Sequence, residues 1–137
     1  MLEVNPRRRI VNTEQYADVA DRLFDAIERG DGHAVEAMWA PEVTVWHSGD
    51  EADNDRVRAL KVIRWFIRAS TTRSYEVLDR QFFDGGFVQQ HVLRAAGTNG
   101  SSMTLRVCIV IKIDAGGLIV RVDEYFDPAD MSPLLAR

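Results

Sequence analysis

The sequence predicts an α+β domain in which N-terminal helices cover one face of a curved, mostly antiparallel sheet. Three observations carry that expectation. Apolar residues at helical spacing fill the first half of the chain. Four β-rich runs fill the second half, separated by Gly and Asn clusters. No helix-like stretch lies between those runs, so long antiparallel hairpins are the natural connection, since parallel crossovers need an intervening helix.

The elements follow in order. Asn12-Thr13-Glu14-Gln15 reads as a helix start, with Asn12 as cap and Gln15 reaching back. Tyr16, Val19, Ala20, Leu23, Phe24 and Ile27 then form one apolar stripe, and Gly30 supplies the stop. Asp31 caps a short second helix from about His33 to Trp39, closed by Pro41. A strand-like run from Glu42 to His47 follows, then the polar loop Ser48–Asn54. A third helix carries Val57, Leu60, Ile63, Phe66 and Ile67 on its apolar side. The β-rich runs are roughly Ser74–Phe83, Phe87–Ala96, Ser102–Ile113 and Leu118–Phe126, with turns at Gly85-Gly86, Gly97–Gly100 and Gly116-Gly117. The expected division is an N-terminal arm over residues 1–12, one domain over 13–131 and a C-terminal tail over 132–137.

With 137 residues, the chain can bury a sizeable core. Its net charge of −4 argues against a nucleic-acid partner, because phosphate binding needs clustered Lys and Arg and only Arg7-Arg8-Arg9 forms a basic run. The single cysteine, Cys108, excludes an intramolecular disulfide and a cysteine-based zinc site. Its place in a Val and Ile run marks it as a packing residue. No apolar stretch approaches a membrane span and no signal-peptide segment opens the chain, so the cytoplasm is the expected location and no membrane partner is expected.

The chemistry-bearing signal lies in two apolar rows that each contain one ionisable residue. Val43 and Val45 share a face with His47, and Leu118, Val120, Val122 and Phe126 share one with Glu124. Burying an unpartnered charge is costly, so such interruptions point to an apolar cavity with a few titratable groups. Imidazole titrates near neutrality and suits proton transfer. Desolvation at Glu124 would raise its pKa, and a salt bridge to an arginine such as Arg94 is the bland alternative. His91, in a mixed row with Phe87, Gln89 and Leu93, would pair with Glu124 if it faces inward. Asp50 and Asp53 read as exposed loop acids, and Trp46 and Asp123 belong to the outer faces. No His-x-x-x-His or similar spacing supports a metal site, so neither metal nor cofactor is expected.

The residues also carry a resemblance. The helix end Glu28-Arg29-Gly30-Asp31, the segment Met38-Trp39-Ala40-Pro41-Glu42-Val43-Thr44-Val45-Trp46-His47 and the closing run Gly117 to Asp127 resemble the SnoaL-like group of the nuclear transport factor 2-like superfamily. The resemblance implies a cone-shaped roll of the cystatin-like kind, with a strongly bent sheet wrapped around the N-terminal helices, a deep apolar pocket, and homodimers through the outer sheet. Set against ketosteroid isomerase, His47 falls where that enzyme has its proton-shuttling aspartate. Its oxyanion tyrosine falls on Leu23 and its protonated aspartate on Ile109, so both donors are missing. Set against limonene epoxide hydrolase, Glu124 falls on one catalytic aspartate, while its arginine falls on His91 and its other aspartate on Leu93. The implied function is cofactor-independent proton-transfer chemistry of an isomerase, cyclase, dehydratase or hydrolase type on a small apolar, cyclic or polyketide-like molecule. His47 would act as base and Glu124 with His91 as acid or orienting pair. Tyr16 would be a rim donor, with Leu23, Phe66, Phe87 and Ile109 among the substrate-binding walls. The alternative is a non-catalytic ligand-binding or dimerisation module of the same fold.

Overall fold

The structure, a computed structural model, describes residues 6–136, with side chains from residue 12 onward. Helix α1 spans Pro6–Arg29, α2 Gly32–Met38 and α3 Arg56–Ala69. The strands are β1 Trp39–His47, β2 Ser70–Phe83, β3 Gly86–Gly97, β4 Ser102–Ile113 and β5 Ile119–Tyr125. A 3₁₀ turn at Pro128–Met131 and a short helix α4, Ser132–Leu135, close the chain.

All five strands form one sheet in the order β1-β5-β4-β3-β2. The three β-meander hairpins are antiparallel as expected. The remaining pair, β1 with β5, is parallel, which is possible because the chain from α3 through β4 intervenes between them. The α1 stripe of Tyr16, Val19, Ala20, Leu23, Phe24 and Ile27 is buried, together with inward residues such as Val43, Val45, Leu105, Val107, Ile109 and Ile111. Gly30 ends α1 at φ +72°, a conformation that costs glycine little. Gly86 is required for another reason: a Cβ there would meet the Ile111 carbonyl oxygen at 1.9 Å.

Several boundaries differ from expectation for physical reasons. Helix α1 begins at Pro6, so Asn12 lies inside it; proline's fixed φ suits the first helical position. Residues 6–12 of the expected arm are therefore helical, while 1–5 lie outside the described residues. Helix α2 ends at Met38 and β1 starts at once, with Pro41 inside the strand; β1 is a sheet edge, where a missing N–H is tolerated. Val57, in the first turn of α3, is 62% exposed and lies off the helix's buried side, which carries Ala59, Leu60 and Phe66. Strand β2 starts at Ser70, four residues before the expected run. The tail is packed as well, since Leu134 is buried.

The expected row on β5 is broken near its start. Ile119 pairs with Ile113 and Arg121 with Lys112, so Val120 is an extra residue in the ladder. Ile119 is fully buried where Leu118 and Val120 are only half-buried, and the inner face resumes at Val122. The bulge shifts the alternation by one residue, but Val122, Glu124 and Phe126 keep the inward face.

Candidate functional site

The sheet and helices enclose a cavity of about 360 Å³ whose walls are mostly apolar. The parallel pairing of β1 with β5 sets His47 directly beside Glu124, about one strand spacing of 4.8 Å apart at the backbone. Both side chains line the cavity. The two interrupted rows thus meet in one place.

The turn after His47 fixes its ring. Asp50 Oδ2 accepts the His47 backbone N–H at 2.9 Å and Asn54 Nδ2 at 2.8 Å, and it lies 3.1 Å from His47 Nδ1. The Asn54 side chain also donates to the Val45 carbonyl, and the Trp46 indole N–H donates to the Asp50 carbonyl. A carboxylate facing Nδ1 favours the tautomer with a proton there, leaving Nε2 as the acceptor. Partial burial pushes Asp50 up, but the donors from His47 and Asn54 outweigh it and hold the carboxyl below its ordinary range. Asp50 is therefore no exposed loop acid. Asp53 does face outward, where it pairs with Arg121 together with Asp123.

Glu124 stands in contrast. No side chain among the described residues bonds to its carboxylate, and Arg94 pairs with Glu76 on the outer surface instead. Burial raises the Glu124 pKa, and only the nearby His47 opposes that shift. A shift in this direction favours the neutral carboxyl, the form that can donate a proton.

His91 faces inward but does not reach this pair. It is 1% exposed, with Nδ1 at 2.9 Å from Gln89 Nε2. Gln89 Oε1 accepts from Arg80 Nε at 2.7 Å, which orients the amide so that its nitrogen donates to His91. Arg80 in turn pairs with Asp21. His91 sits on β3 and Glu124 on β5, with β4 between them, so the expected carboxylate–imidazole pair does not form. Burial and the neighbouring Arg80 charge lower the His91 pKa to about 4.

Of the expected wall residues, Leu23, Phe66 and Ile109 line the cavity. Phe87 lies in the core under the Arg80 guanidinium, outside the lining. Tyr16 is also elsewhere: its hydroxyl accepts the Gly85 N–H at 3.1 Å, at the β2–β3 turn. Two residues escaped the sequence reading. The spacing His47-Ser48-Gly49-Asp50 offers a turn that folds a carboxylate back on a histidine, a signal that was available. Tyr75 lines the cavity from β2, but its row alternates with charged residues and gave no facing signal. No group of three or more His, Cys, Asp or Glu among the described residues is arranged to hold a metal ion.

The family model for the SnoaL-like domain matches residues 20–122, three quarters of the chain. No curated protein matches the sequence. Solved structures of similar fold include an LEH-like epoxide hydrolase from M. tuberculosis (16% identity, 89% of this chain and 90% of that one, TM-score 0.72). SalBIII, an epoxide hydrolase/cyclase-like enzyme in pyran ring formation in the polyether salinomycin, shares 12% identity over 86% of this chain and 95% of its own, with a TM-score of 0.76. An NTF2-like protein of unknown function from Burkholderia pseudomallei shares 20% identity over 89% of this chain and 98% of its own, with a TM-score of 0.74. At these identities the likeness carries the fold alone.

Proposed function

We propose that this chain, which belongs to the SnoaL-like domain family, is a cofactor-independent acid–base enzyme acting on a small, largely apolar carbonyl compound of cyclic or polyketide-like type. The observation that carries the reading is the register pair His47–Glu124 at the wall of an apolar cavity, with Asp50 behind the imidazole. His47 Nε2 takes a proton from the carbon next to a carbonyl. The C–H electron pair becomes a C=C bond, and the carbonyl π pair moves to oxygen. Protonated Glu124 donates to that oxygen, and the Asp50 carboxylate stabilises the imidazolium that forms. Return of the proton to another carbon isomerises the substrate, while attack by the enol carbon on a second carbonyl closes a ring. Similarity to an epoxide hydrolase/cyclase-like enzyme supports a small-molecule role without choosing among these outcomes.

The partner is a small molecule, and no described helix is long and apolar enough to cross a membrane. The outer sheet surface, where Trp46 packs on the exposed Tyr125 at 5.2 Å between ring centres, is the face we assign to a homodimer. We place the protein in the cytoplasm.

The test is exchange of the α-hydrogens of 2-tetralone, an enolisable bicyclic ketone, in deuterated water. Wild-type protein accelerates exchange, and His47→Ala slows it by about a hundredfold or more. Exchange that is unaffected by His47→Ala removes the base from the mechanism. Protein that the ketone stabilises against heat, yet that exchanges it no faster than buffer at every pH, is a binding module, not an enzyme.

A further inference from the structure

We propose that the C-terminal strap, made of the 3₁₀ turn Pro128–Met131 and helix α4, is the wall that decides which ring systems the cavity accepts. Met131 is its main specificity-determining residue and Leu135 its rim. The assignment rests on the small-molecule reading above and deepens it, by naming the property of the substrate that is selected: how far its fused rings extend from the reacting carbonyl. The strap lies past residues 20–122, outside the part of the chain that the family model matches.

The spacing of its apolar residues makes the wall. Pro128, Met131 and Leu135 recur at steps of three and four, which puts them on one side of a helical segment, and all three line the cavity. The stripe begins beside the acid–base pair. Phe126 stands two residues after Glu124, its ring centre 6.5 Å from that of His47, and its backbone N–H donates to Ser48 Oγ at 3.1 Å. Pro128 then passes over the turn between His47 and Asp50, where a Cβ on Gly49 would meet the proline ring at 3.4 Å. The stripe ends at the mouth, since Leu135 is exposed and so is Val62, which lines the same cavity from α3.

The strap is fastened from behind, by groups that do not line the cavity. Leu134, off the stripe, is buried, and Gly97 leaves room for it: a Cβ there would lie 2.9 Å from Leu134 Cδ2. At the β3–β4 turn, Asn99 Nδ2 donates to the Pro133 carbonyl at 3.0 Å and to the Ala136 carbonyl, and Ser101 Oγ donates to Pro133 at 2.8 Å. A wall held in place this way cannot yield to an oversized ligand without breaking those bonds or its packing. An apolar pocket of fixed shape discriminates by about tenfold or more per methylene-sized change. The selected class is therefore a compact fused-ring ketone, with larger ring systems rejected at Met131.

Two fluorescent aromatic alcohols test the assignment: 2-naphthol, with two fused rings, and 1-hydroxypyrene, with four. Met131→Ala should shift the ratio of their dissociation constants toward 1-hydroxypyrene by about tenfold or more, and Met131→Phe should shift it the other way. Leu135→Ala, at an exposed position, should move the ratio as Met131→Ala does but by a smaller factor, and it decides the matter if Met131→Ala does not fold. An unmoved ratio, equal weakening of both ligands, or wild-type protein that binds neither alcohol overturns the assignment. If the ratio moves while wild-type protein never exchanges 2-tetralone, the strap stands and the acid–base reading falls. If the ratio stays fixed while His47→Ala abolishes exchange, the acid–base reading stands and the strap is not the selector.

Discussion

His47 and His91 both face the interior of the same bent sheet, and their surroundings are opposite in kind. His47 stands at the end of edge strand β1, tied through Nδ1 to Asp50 and with its ring at the cavity. His91 stands in the middle of β3, packed by Tyr75 and Phe24 and held by Gln89, with a guanidinium beyond. One imidazole has a carboxylate behind it and open space in front. The other has a cationic relay behind it and aromatic rings in front. Facing inward is therefore not enough to make a histidine chemical; the sign of the charge behind it and the space before it decide.

The largest effect that can break this contrast is loss of function at His47 without loss of fold. His47→Ala removes a half-buried side chain at a strand end, so we expect little change in melting temperature alongside the collapse of 2-tetralone exchange. The same substitution logic reverses at His91. His91→Leu leaves the fully buried Gln89 amide without its acceptor, at a cost of about 1–3 kcal/mol. Chemical denaturation of the two variants reads both outcomes, and equal stability losses would erase the distinction.

Acid sharpens the comparison further. The His91 pKa is lowered to about 4 from 6.5, so the unfolded chain binds a proton that the folded one refuses. Stability from neutral His91 is complete above 6.5 and is lost as pH falls from there toward 4. The full loss is about 3 kcal/mol for a group this buried. His91→Leu should be weaker at neutral pH but flatter across that window. An unchanged slope in the variant would show that another group drives the acid response.

Asp50→Asn comes next in size. The amide can present its nitrogen to His47 Nδ1, which favours the wrong tautomer and removes the charge that supports the imidazolium. Exchange of 2-tetralone is expected to fall by about tenfold to a hundredfold with binding of naphthalene unchanged. Normal exchange in this variant would reduce Asp50 to a turn residue.

The fold was legible because its signals are local and repeated. The α1 stripe and the glycine turns at Gly85 and Gly117 each needed only a few neighbouring residues to read. His47 and Glu124 were legible for the same reason, as single polar interruptions in apolar rows. What stayed hidden depends on relations that a one-dimensional pattern does not carry. The parallel register that sets His47 beside Glu124 spans 77 residues and a bulge at Val120. The expected His91–Glu124 pair failed because β4 lies between their strands, which is a matter of topology. Tyr75 was hidden by its strand: β2 is an edge whose alternation mixes Arg73, Val77 and Asp79, so no row marked an inner face.

Glu124→Gln gives the smallest expected shift and the most specific sign. Burial raises the Glu124 pKa, so ionising it costs the folded state more than the unfolded one. Below the ordinary glutamate value of 4.5 the group is neutral in both states and costs nothing. As pH rises past that value the unfolded chain ionises first, and the wild-type protein loses stability that glutamine, which cannot ionise, keeps. The variant should therefore melt higher than wild type at pH 7, with the difference vanishing in acid. Asp50 predicts the reverse trend, because its carboxyl is held down by donors and stabilises the fold in its charged form. Two carboxylates on either side of one imidazole would then respond to pH with opposite signs. A Glu124→Gln protein that melts lower at pH 7 would mean the charged form is stabilised, and the acid half of the proposed chemistry would have no donor.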